Sequence, residues 1–255
     1  MYDPTLRSKK ELVVSEDGSC TLFSKEFNEP YHSTKDGALN ESLQKHIIPA
    51  FSVKKDKKSL TILDICFGLG YNTFATLYYI KKNRLDIKVD ILSPEFDEEL
   101  VRSLSAFTFP KEFDSLKPTI DAVSKNLFYE DEQFRVEILL GDARESVPKL
   151  EKKVDIIYQD AFSPAHNPLL WTREFFADIA KVSTQDALLT TYSTAASTRL
   201  GLYENGFNLY LNKSQGIRNS LVASKVTLDR FEYIDMELKK IRNPTAKSLS
   251  DKEFI

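Results

Sequence analysis

The chain has 255 residues, of which 42% are hydrophobic and 29% charged, and its formal net charge is −3. This balance is typical of an ordinary soluble protein, and no segment approaches the roughly 20 apolar residues that a membrane-spanning helix needs. The negative charge also argues against a surface coated with positive charge for nonspecific binding of polyanions. With only Cys20 and Cys66 and no readable secretory signal, we expect a protein without disulfides in the reducing cytoplasm.

The N-terminal part of the chain predicts a hairpin followed by a helix. Residues 11–24 hold two short apolar runs around a turn, a pattern typical of a β-hairpin. Further along, Leu39, Leu43 and Ile47 recur at helical spacing, and Asp36 is the predicted N-cap.

The stretch Thr61–Phe74 has the local pattern that points most clearly to a ligand. An apolar run ending at Asp64 predicts a buried strand, Gly68 and Gly70 predict a tight turn, and a helix begins near Asn72. Glycine lets the backbone approach a ligand closely, and the amide groups at a helix start point toward it. The pattern suits a nucleotide, although glycine turns also simply close many strand-helix units.

Strands and helices alternate after this turn. Further strands are predicted at 88–93, 134–140, 154–159, 187–192, 207–211 and 221–225. The loop joining the last two is too short for a crossover helix, so these strands should pair antiparallel. Together with the first strand they give a seven-stranded, mostly parallel sheet in an α/β fold, with an antiparallel hairpin at one edge. We therefore expect an N-terminal extension over 1–58, a core over 59–226 and a C-terminal extension over 227–255, in which a docked strand or helix is followed by a frayed end.

Acidic residues follow three of the predicted parallel strands, at the sheet edge where α/β proteins bind ligands. Glu95 follows the second strand, where an acid can accept both hydroxyl groups of a ribose. Asp142 follows the third, where an acid can accept a hydrogen bond from an adenine amino group, and Asp160 ends the fourth. Alone, Glu95 suits a solvated polar run and Asp142 suits a helix N-cap. Their joint placement favours an adenosyl ligand.

The loop that follows Asp160 contains two prolines and two aromatic residues, a composition suited to a shaped pocket wall. An acid beside a bound electrophile can orient an amine and take up its proton. The alternative is that the prolines only stiffen the loop and Trp171 only packs. Cys66 lies in the glycine turn, so we do not expect it to be a nucleophile.

No metal site is predicted. The three histidines, His32, His46 and His166, and the two cysteines lack the close ligand spacings that a zinc site needs. We therefore interpret the histidines as structural or loop residues.

These motifs resemble the bacterial methyltransferases that complete 5-methylaminomethyl-2-thiouridine at the wobble position of tRNA, found alone or fused to an FAD-dependent oxidoreductase. The resemblance covers about residues 17–225, and its most specific part is the run from Asp160 to Thr172. The matching segments are Phe67–Phe74, Glu95, Gly141–Asp142, Asp160–Thr172, Thr190–Ala195 with Arg199, Asn205–Phe207, Tyr31–Ser33 and Gly37–Ser42.

The resemblance implies a Rossmann-like class I methyltransferase that uses S-adenosyl-L-methionine. The family's cofactor pattern falls on Gly68, Gly70, Asn72, Glu95 and Asp142, and we add Tyr31 and Glu41 as residues that close the cofactor pocket. Its acidic catalytic candidate falls on Asp160. For the substrate we expect contacts from Phe162, Trp171, Arg199 and Arg218, the aromatic residues receiving an extruded base and the arginines contacting phosphates. Many methyltransferases have glycine where Cys66 stands, so the turn should differ locally.

The implied reaction is methyl transfer to the amine of 5-aminomethyl-(2-thio)uridine in the anticodon region of tRNA, without a metal. No second nucleotide fingerprint follows residue 225, so we expect the FAD-dependent oxidoreductase half to lie outside this chain. Two alternatives stay open. One is an aminopropyltransferase of the spermidine-synthase type acting on a free diamine, and the other is a noncatalytic module that binds tRNA or a nucleotide.

Overall fold

The apolar runs of the sequence form two β-sheets in the computed structural model, which describes residues 10–214 and 216–255. The small N-terminal sheet consists of β1 (Lys10–Val14), β2 (Cys20–Ser24) and β3 (Glu29–Pro30). The central sheet consists of β4 (Ser59–Ile65), β5 (Lys88–Glu95), β6 (Phe128–Glu130), β7 (Phe134–Leu140), β8 (Val154–Gln159), β9 (Ser183–Thr191), β10 (Asn208–Asn212), β11 (Ser220–Ser224) and β12 (Glu232–Tyr233).

Helices connect most of these strands. The α-helices are α1 (Ala38–Ser42), α2 (Ile48–Lys54), α3 (Tyr71–Lys82), α4 (Glu98–Ser103), α5 (Lys117–Asn126), α6 (Ala143–Ser146), α7 (Arg173–Val182), α8 (Ala196–Glu204) and α9 (Met236–Arg242). Shorter 3₁₀ segments lie at Leu104–Ala106, Lys111–Leu116, Val147–Lys149, Pro168–Trp171 and Asp251–Glu253, and a π-helical turn lies at Leu43–Ile47. None of the helices in the described ranges has the length and apolar character needed to cross a membrane.

The central sheet has the strand order β12-β10-β11-β9-β8-β4-β5-β7-β6. The five strands from β9 to β7 in this order run parallel, and β10 and β11 form an antiparallel hairpin beside β9. This confirms the predicted α/β fold, and all seven predicted strands form. The short edge strand β6 was not predicted, because a segment of three residues has too little periodicity to stand out. The C-terminal segment that was predicted to dock as a strand or helix forms β12 and α9.

Hydrophobic side chains cover both faces of this sheet. Along β4, Ile62 belongs to the cluster on one face, and Leu63 belongs to the cluster on the other. Both side chains are fully buried, as expected for a central parallel strand with helices on either side. Burial of such a side chain contributes about 1.5–3 kcal/mol, so the packed sheet is a firm base for the loops at its edge.

The N-terminal extension contains the predicted hairpin and helix, with two differences. The register of β1 and β2 pairs Lys10 with Ser24 and Val14 with Cys20. The helix is interrupted, since the π-helical turn Leu43–Ile47 separates α1 from α2. Its predicted N-cap, Asp36, was wrong: Gly37 is the N-cap.

The C-terminal end is docked where the sequence predicts fraying. The amide of Arg173, at the start of α7, donates to the carbonyl of Leu249 at 2.9 Å. The hydroxyl of Ser250 donates to Glu174 at 2.9 Å, and Asp251 pairs with Arg144. These are isolated polar contacts between distant segments, so no local pattern announces them. The division into three parts stays a prediction.

Candidate active site

A cavity of about 1010 Å³ opens at the carboxyl ends of β4, β5 and β8. Its lining includes the glycine turn after β4, Glu95 at the end of β5 and Asp160 after β8, and residues 29–36 form one wall. Arg199 and Arg218 lie on the lining as well. The three strand ends meet because parallel neighbours finish at the same edge of a sheet.

The glycine turn brings backbone to the cavity wall. Cys66, Gly68 and Gly70 all have a left-handed backbone, with φ of 67°, 54° and 73°. A Cβ atom on Gly68 would lie 3.1 Å from the Tyr31 ring, so a side chain there would crowd this wall. Cys66 therefore takes a backbone conformation that favours glycine, so the turn keeps the form that a glycine at this position would adopt. Gly70 lies at the N-cap of α3 and is not among the described residues that line the cavity.

Backbone amides hold the Glu95 carboxylate in place. The amide of Gly68 donates to Oε2 at 2.7 Å, and the amide of Asp97 donates to Oε1 at 2.9 Å. Burial raises the pKa of Glu95, while these two hydrogen bonds oppose the increase. Since each carboxylate oxygen can accept more than one hydrogen bond, Glu95 can still accept ribose hydroxyls from the cavity.

Asn72 connects Asp160, which lines the cavity, to Asp64, which is buried behind the cavity floor. Its Nδ2 donates to Asp160 Oδ2 at 2.8 Å and lies 3.5 Å from Asp64 Oδ1. Thr73 donates to the other oxygen of Asp64 at 2.7 Å, and burial raises the pKa of Asp64 to about 7. Asn72 Oδ1 is buried without a hydrogen-bond partner within residues 10–214 and 216–255. It is available to accept a hydrogen bond from a ligand.

The charge of Asp160 is set by its neighbours. Burial alone would raise its pKa, but the adjacent imidazole of His46 and the hydrogen bond from Asn72 outweigh burial and lower it. Asp160 is therefore ionised at neutral pH and can accept a hydrogen bond from an amine. His46 Nε2 lies 3.4 Å from Asp160 Oδ1. Sequence reasoning missed this neighbour, because no local motif connects the two residues.

Phe162 lies in an aromatic cluster on the cavity wall. Its ring stacks on Phe27 at 4.5 Å and meets Tyr31 edge-on at 4.9 Å, and Phe96 packs against Phe27 at 6.3 Å. Trp171 lies elsewhere. Its ring is fully buried and is not among the described lining residues, so the predicted contact between Trp171 and a base is wrong. Its Nε1 donates to the carbonyl of Phe162 at 2.7 Å, which holds the backbone beneath the aromatic cluster.

Two N-terminal residues predicted to close the cofactor pocket line the same cavity. The Tyr31 ring faces Gly68, as the distance above shows, and Glu41 is buried. Glu41 accepts hydrogen bonds from the amide of Ser33 at 2.6 Å and from Lys45 at 2.5 Å. These contacts connect the wall segment to α1 and the π-helical turn.

Asp142 caps a helix, which is the alternative that the sequence offers for this residue. It is exposed, and as the N-cap of α6 it accepts from the amide of Arg144 at 2.8 Å. It is not among the described lining residues, and contact with an adenine stays a prediction. Arg199 lies on α8, and Arg218 lies on the loop between β10 and β11.

Comparison with known proteins identifies the family. Residues 112–226 match a family model described as S-adenosyl-L-methionine-dependent methyltransferase. The crystal structure of MnmC2 from Aquifex aeolicus is 30% identical, with a TM-score of 0.82, over 96% of this chain and 79% of that one. The chain belongs to the MnmC-like family of methyltransferases.

Curated relatives of the family extend beyond this chain. An uncharacterized protein of Methanocaldococcus jannaschii is 31% identical over 223 residues, which cover 86% of this chain and 60% of that protein. The tRNA 5-methylaminomethyl-2-thiouridine biosynthesis bifunctional protein MnmC of Pseudomonas entomophila is 27% identical over 206 residues, covering 73% of this chain and 30% of that protein. The chain thus spans less than two thirds of the length of either.

Membership of the MnmC-like family makes the chain an enzyme that uses S-adenosyl-L-methionine, in agreement with the resemblance drawn from the sequence. The cavity suits this cofactor on two observations. Bare backbone at Gly68 lies next to a buried carboxylate at Glu95, and Asn72 Oδ1 lacks a partner within the described residues. Membership of this family favours methyl transfer over aminopropyl transfer and over a noncatalytic module.

Proposed function

We propose that this protein methylates the amine of 5-aminomethyl-(2-thio)uridine at the wobble position of tRNA, giving 5-methylaminomethyl-(2-thio)uridine. The names of the bifunctional MnmC relatives support this substrate. We further propose that the protein acts in the cytoplasm and that a separate FAD-dependent oxidoreductase supplies the aminomethyl precursor.

The observation that carries the proposal is the position of Asp160. Its carboxylate lines the cavity together with the glycine turn and Glu95, and with Arg199 and Arg218. An amine bound at Asp160 would therefore share one cavity with the cofactor, while guanidinium groups are available for phosphates.

The reaction needs a neutral amine in line with the methyl group. S-adenosyl-L-methionine supplies an electrophilic methyl group when bound. The Asp160 carboxylate and Asn72 Oδ1 can each accept a hydrogen bond from the amine, which directs its lone pair and removes orientational freedom. Asp160 then receives the proton that the amine must lose once the carbon–nitrogen bond has formed. The Phe162 ring packs against the extruded base, and Arg199 and Arg218 contact the tRNA backbone.

The test is methylation of tRNA that carries the aminomethyl precursor. With methyl-labelled S-adenosyl-L-methionine, nucleoside mass spectrometry should find the label on the wobble uridine. Asp160→Asn should lower kcat about 100-fold or more, because the amide cannot take up the proton, while cofactor affinity stays within about twofold. The exposed Asp229→Asn is the matched control and should be unchanged. Absence of label on tRNA, with aminopropyl transfer to putrescine instead, would contradict the proposal.

A further inference from the structure

The structure buries one titratable side chain behind Asp160 for which the reaction above gives no role. His46 is fully buried in the π-helical turn Leu43–Ile47. An insertion of this kind re-aims a side chain within a helix, and such turns are frequent at functional sites. Here the turn directs the imidazole toward the ends of β8 and β9, where it packs edge-on against Tyr158, with ring centroids 5.6 Å apart.

The two ring nitrogens of His46 have different surroundings. Nδ1 lies 2.9 Å from the hydroxyl of Thr190 on β9, within hydrogen-bond distance. Nε2 lies 3.4 Å from Asp160 Oδ1, and it is buried without a hydrogen-bond partner within residues 10–214 and 216–255. If Nδ1 carries the proton and donates it to Thr190, then Nε2 presents a lone pair to the carboxylate. A single proton shared between Nε2 and Asp160 Oδ1 would then form a hydrogen bond between the two side chains.

Asp160 is in a position to supply that proton. Its Oδ2 is held by Asn72, and its side chain keeps 14% of its surface exposed to the cavity. One end of the carboxylate therefore faces a bound amine, and Oδ1 faces His46. A carboxylate alone is a weak base for a proton from an ammonium group, because the ordinary pKa of an aspartate is only about 3.9.

We propose that His46 is a positioning residue that holds Asp160 and takes up, at Nε2, the proton that Asp160 receives from the substrate amine. This inference rests on the proposed function. In the step, the amine nitrogen forms a bond to the methyl carbon, the sulfur–methyl bond breaks, and its electron pair stays on sulfur. The new ammonium releases a proton to Asp160, and a proton passes from Oδ1 to Nε2. An imidazolium beside a carboxylate remains, and the proton leaves after product release.

The charged and titratable groups around His46 are compatible with this role. Asp160 is the nearest, and Asp64 on β4 and His32 on the N-terminal segment are further titratable neighbours. The pKa of His32 is lowered by burial, so this neighbour is neutral near pH 7. Tyr158 contributes only its ring edge.

The test compares His46→Gln with the wild type in the tRNA methylation assay. Glutamine can donate a hydrogen bond to Asp160 but cannot take up a proton, so we expect kcat to fall about tenfold or more. The KM for tRNA and the Kd for S-adenosyl-L-methionine should stay within about twofold. The exposed Glu132→Gln, just before β7 and away from the edge of the sheet that holds the cavity, is the control and should behave as wild type.

The pH profile separates proton uptake from a structural role. If Nε2 takes up the proton, the low-pH limb of log kcat against pH should be steeper in the wild type than in a variant in which only the amine has to lose a proton. In His46→Gln the slope should fall to about one. Thr190→Val, which removes the partner of Nδ1, should displace the same limb of the profile without changing cofactor affinity.

Three results would overturn the inference. One is a His46→Gln profile parallel to that of the wild type, and another is a loss of activity explained entirely by lost cofactor binding. If His46→Gln does not fold, an unchanged profile in Thr190→Val is the third. An inactive wild type would instead contradict the proposed function itself.

Discussion

The cavity contains two groups of candidate ligand-binding residues, one around Glu95 and one around Arg218, and the two groups differ in structure. Around Glu95 the wall is backbone, a glycine turn and a buried carboxylate held by two amide groups. Around Arg218 the lining comes from long side chains and a loop between strands, and Arg218 itself is exposed. The first arrangement is rigid before any ligand binds, whereas the second can adapt. A small cofactor of fixed shape suits the former, and a large flexible polyanion suits the latter.

The largest effect that this contrast predicts is on cofactor binding. Glu95→Ala removes the acceptor for ribose hydroxyls and leaves the amides of Gly68 and Asp97 without their partner. We expect the Kd for S-adenosyl-L-methionine to rise about 10- to 100-fold, measured by calorimetry, which corresponds to about 1.4–2.7 kcal/mol.

Asp142→Ala is the comparison variant for Glu95→Ala. Loss of the N-cap of α6 should cost about 0.5–2 kcal/mol of unfolding free energy, and loss of the predicted adenine contact should raise the Kd less than Glu95→Ala does, because Asp142 is exposed. An unchanged Kd in Asp142→Ala would reject the adenine contact, and an unaltered Glu95→Ala would reject the ribose contact.

A smaller effect, on tRNA binding, is expected at the arginines that line the cavity. Arg218→Ala should raise the KM for tRNA about three- to tenfold and reduce the slope of log K against log salt by about one, because a single phosphate contact is lost. Cofactor affinity should not change. Arg230, exposed and not among the described lining residues, provides the control variant Arg230→Ala. A salt slope equal to that of the wild type would place Arg218 outside the tRNA contact.

The smallest effect is expected at Asp64, which lies behind the cavity floor. It concerns the stability of the protein and not ligand binding. Its folded pKa of about 7 lies above the unfolded value of about 3.9, so the folded state keeps a proton that the unfolded chain has released. This contribution to stability is complete below about pH 4 and is lost as the pH rises through about 7. In urea unfolding between pH 5 and 8, Asp64→Asn should therefore lose less stability than the wild type. Equal losses would mean that Asp64 is ionised in the folded protein.

The sequence predicted the parts of the site that follow from sheet topology. Gly68, Glu95 and Asp160 come directly after parallel strands, and the strands deliver them to one edge. It could not predict His46, whose contact with Asp160 depends on a π-helical turn and on packing between segments distant in the chain. Hydrophobic periodicity predicts where the helix lies, but it does not reveal a single residue inserted within that helix.

Other differences between the sequence predictions and the structure arise because one residue type suits two environments. Trp171 was expected at the ligand, yet its indole N–H finds a carbonyl inside the protein and the ring is buried there. An acid after a strand can bind a ligand or cap a helix, and Asp142 has the geometry of a cap. Only the three-dimensional path of the next few residues distinguishes these outcomes.

The wall formed by the N-terminal segment has a consequence for biosynthesis. Lys10 pairs with Asp97, and Glu29 accepts a hydrogen bond from the amide of Ser163. These N-terminal residues leave the ribosome early, whereas Asp97 follows β5 and Ser163 follows β8 in the chain. The contact of Glu29 with Ser163 can therefore form only after the strands from β4 to β8 have been synthesised.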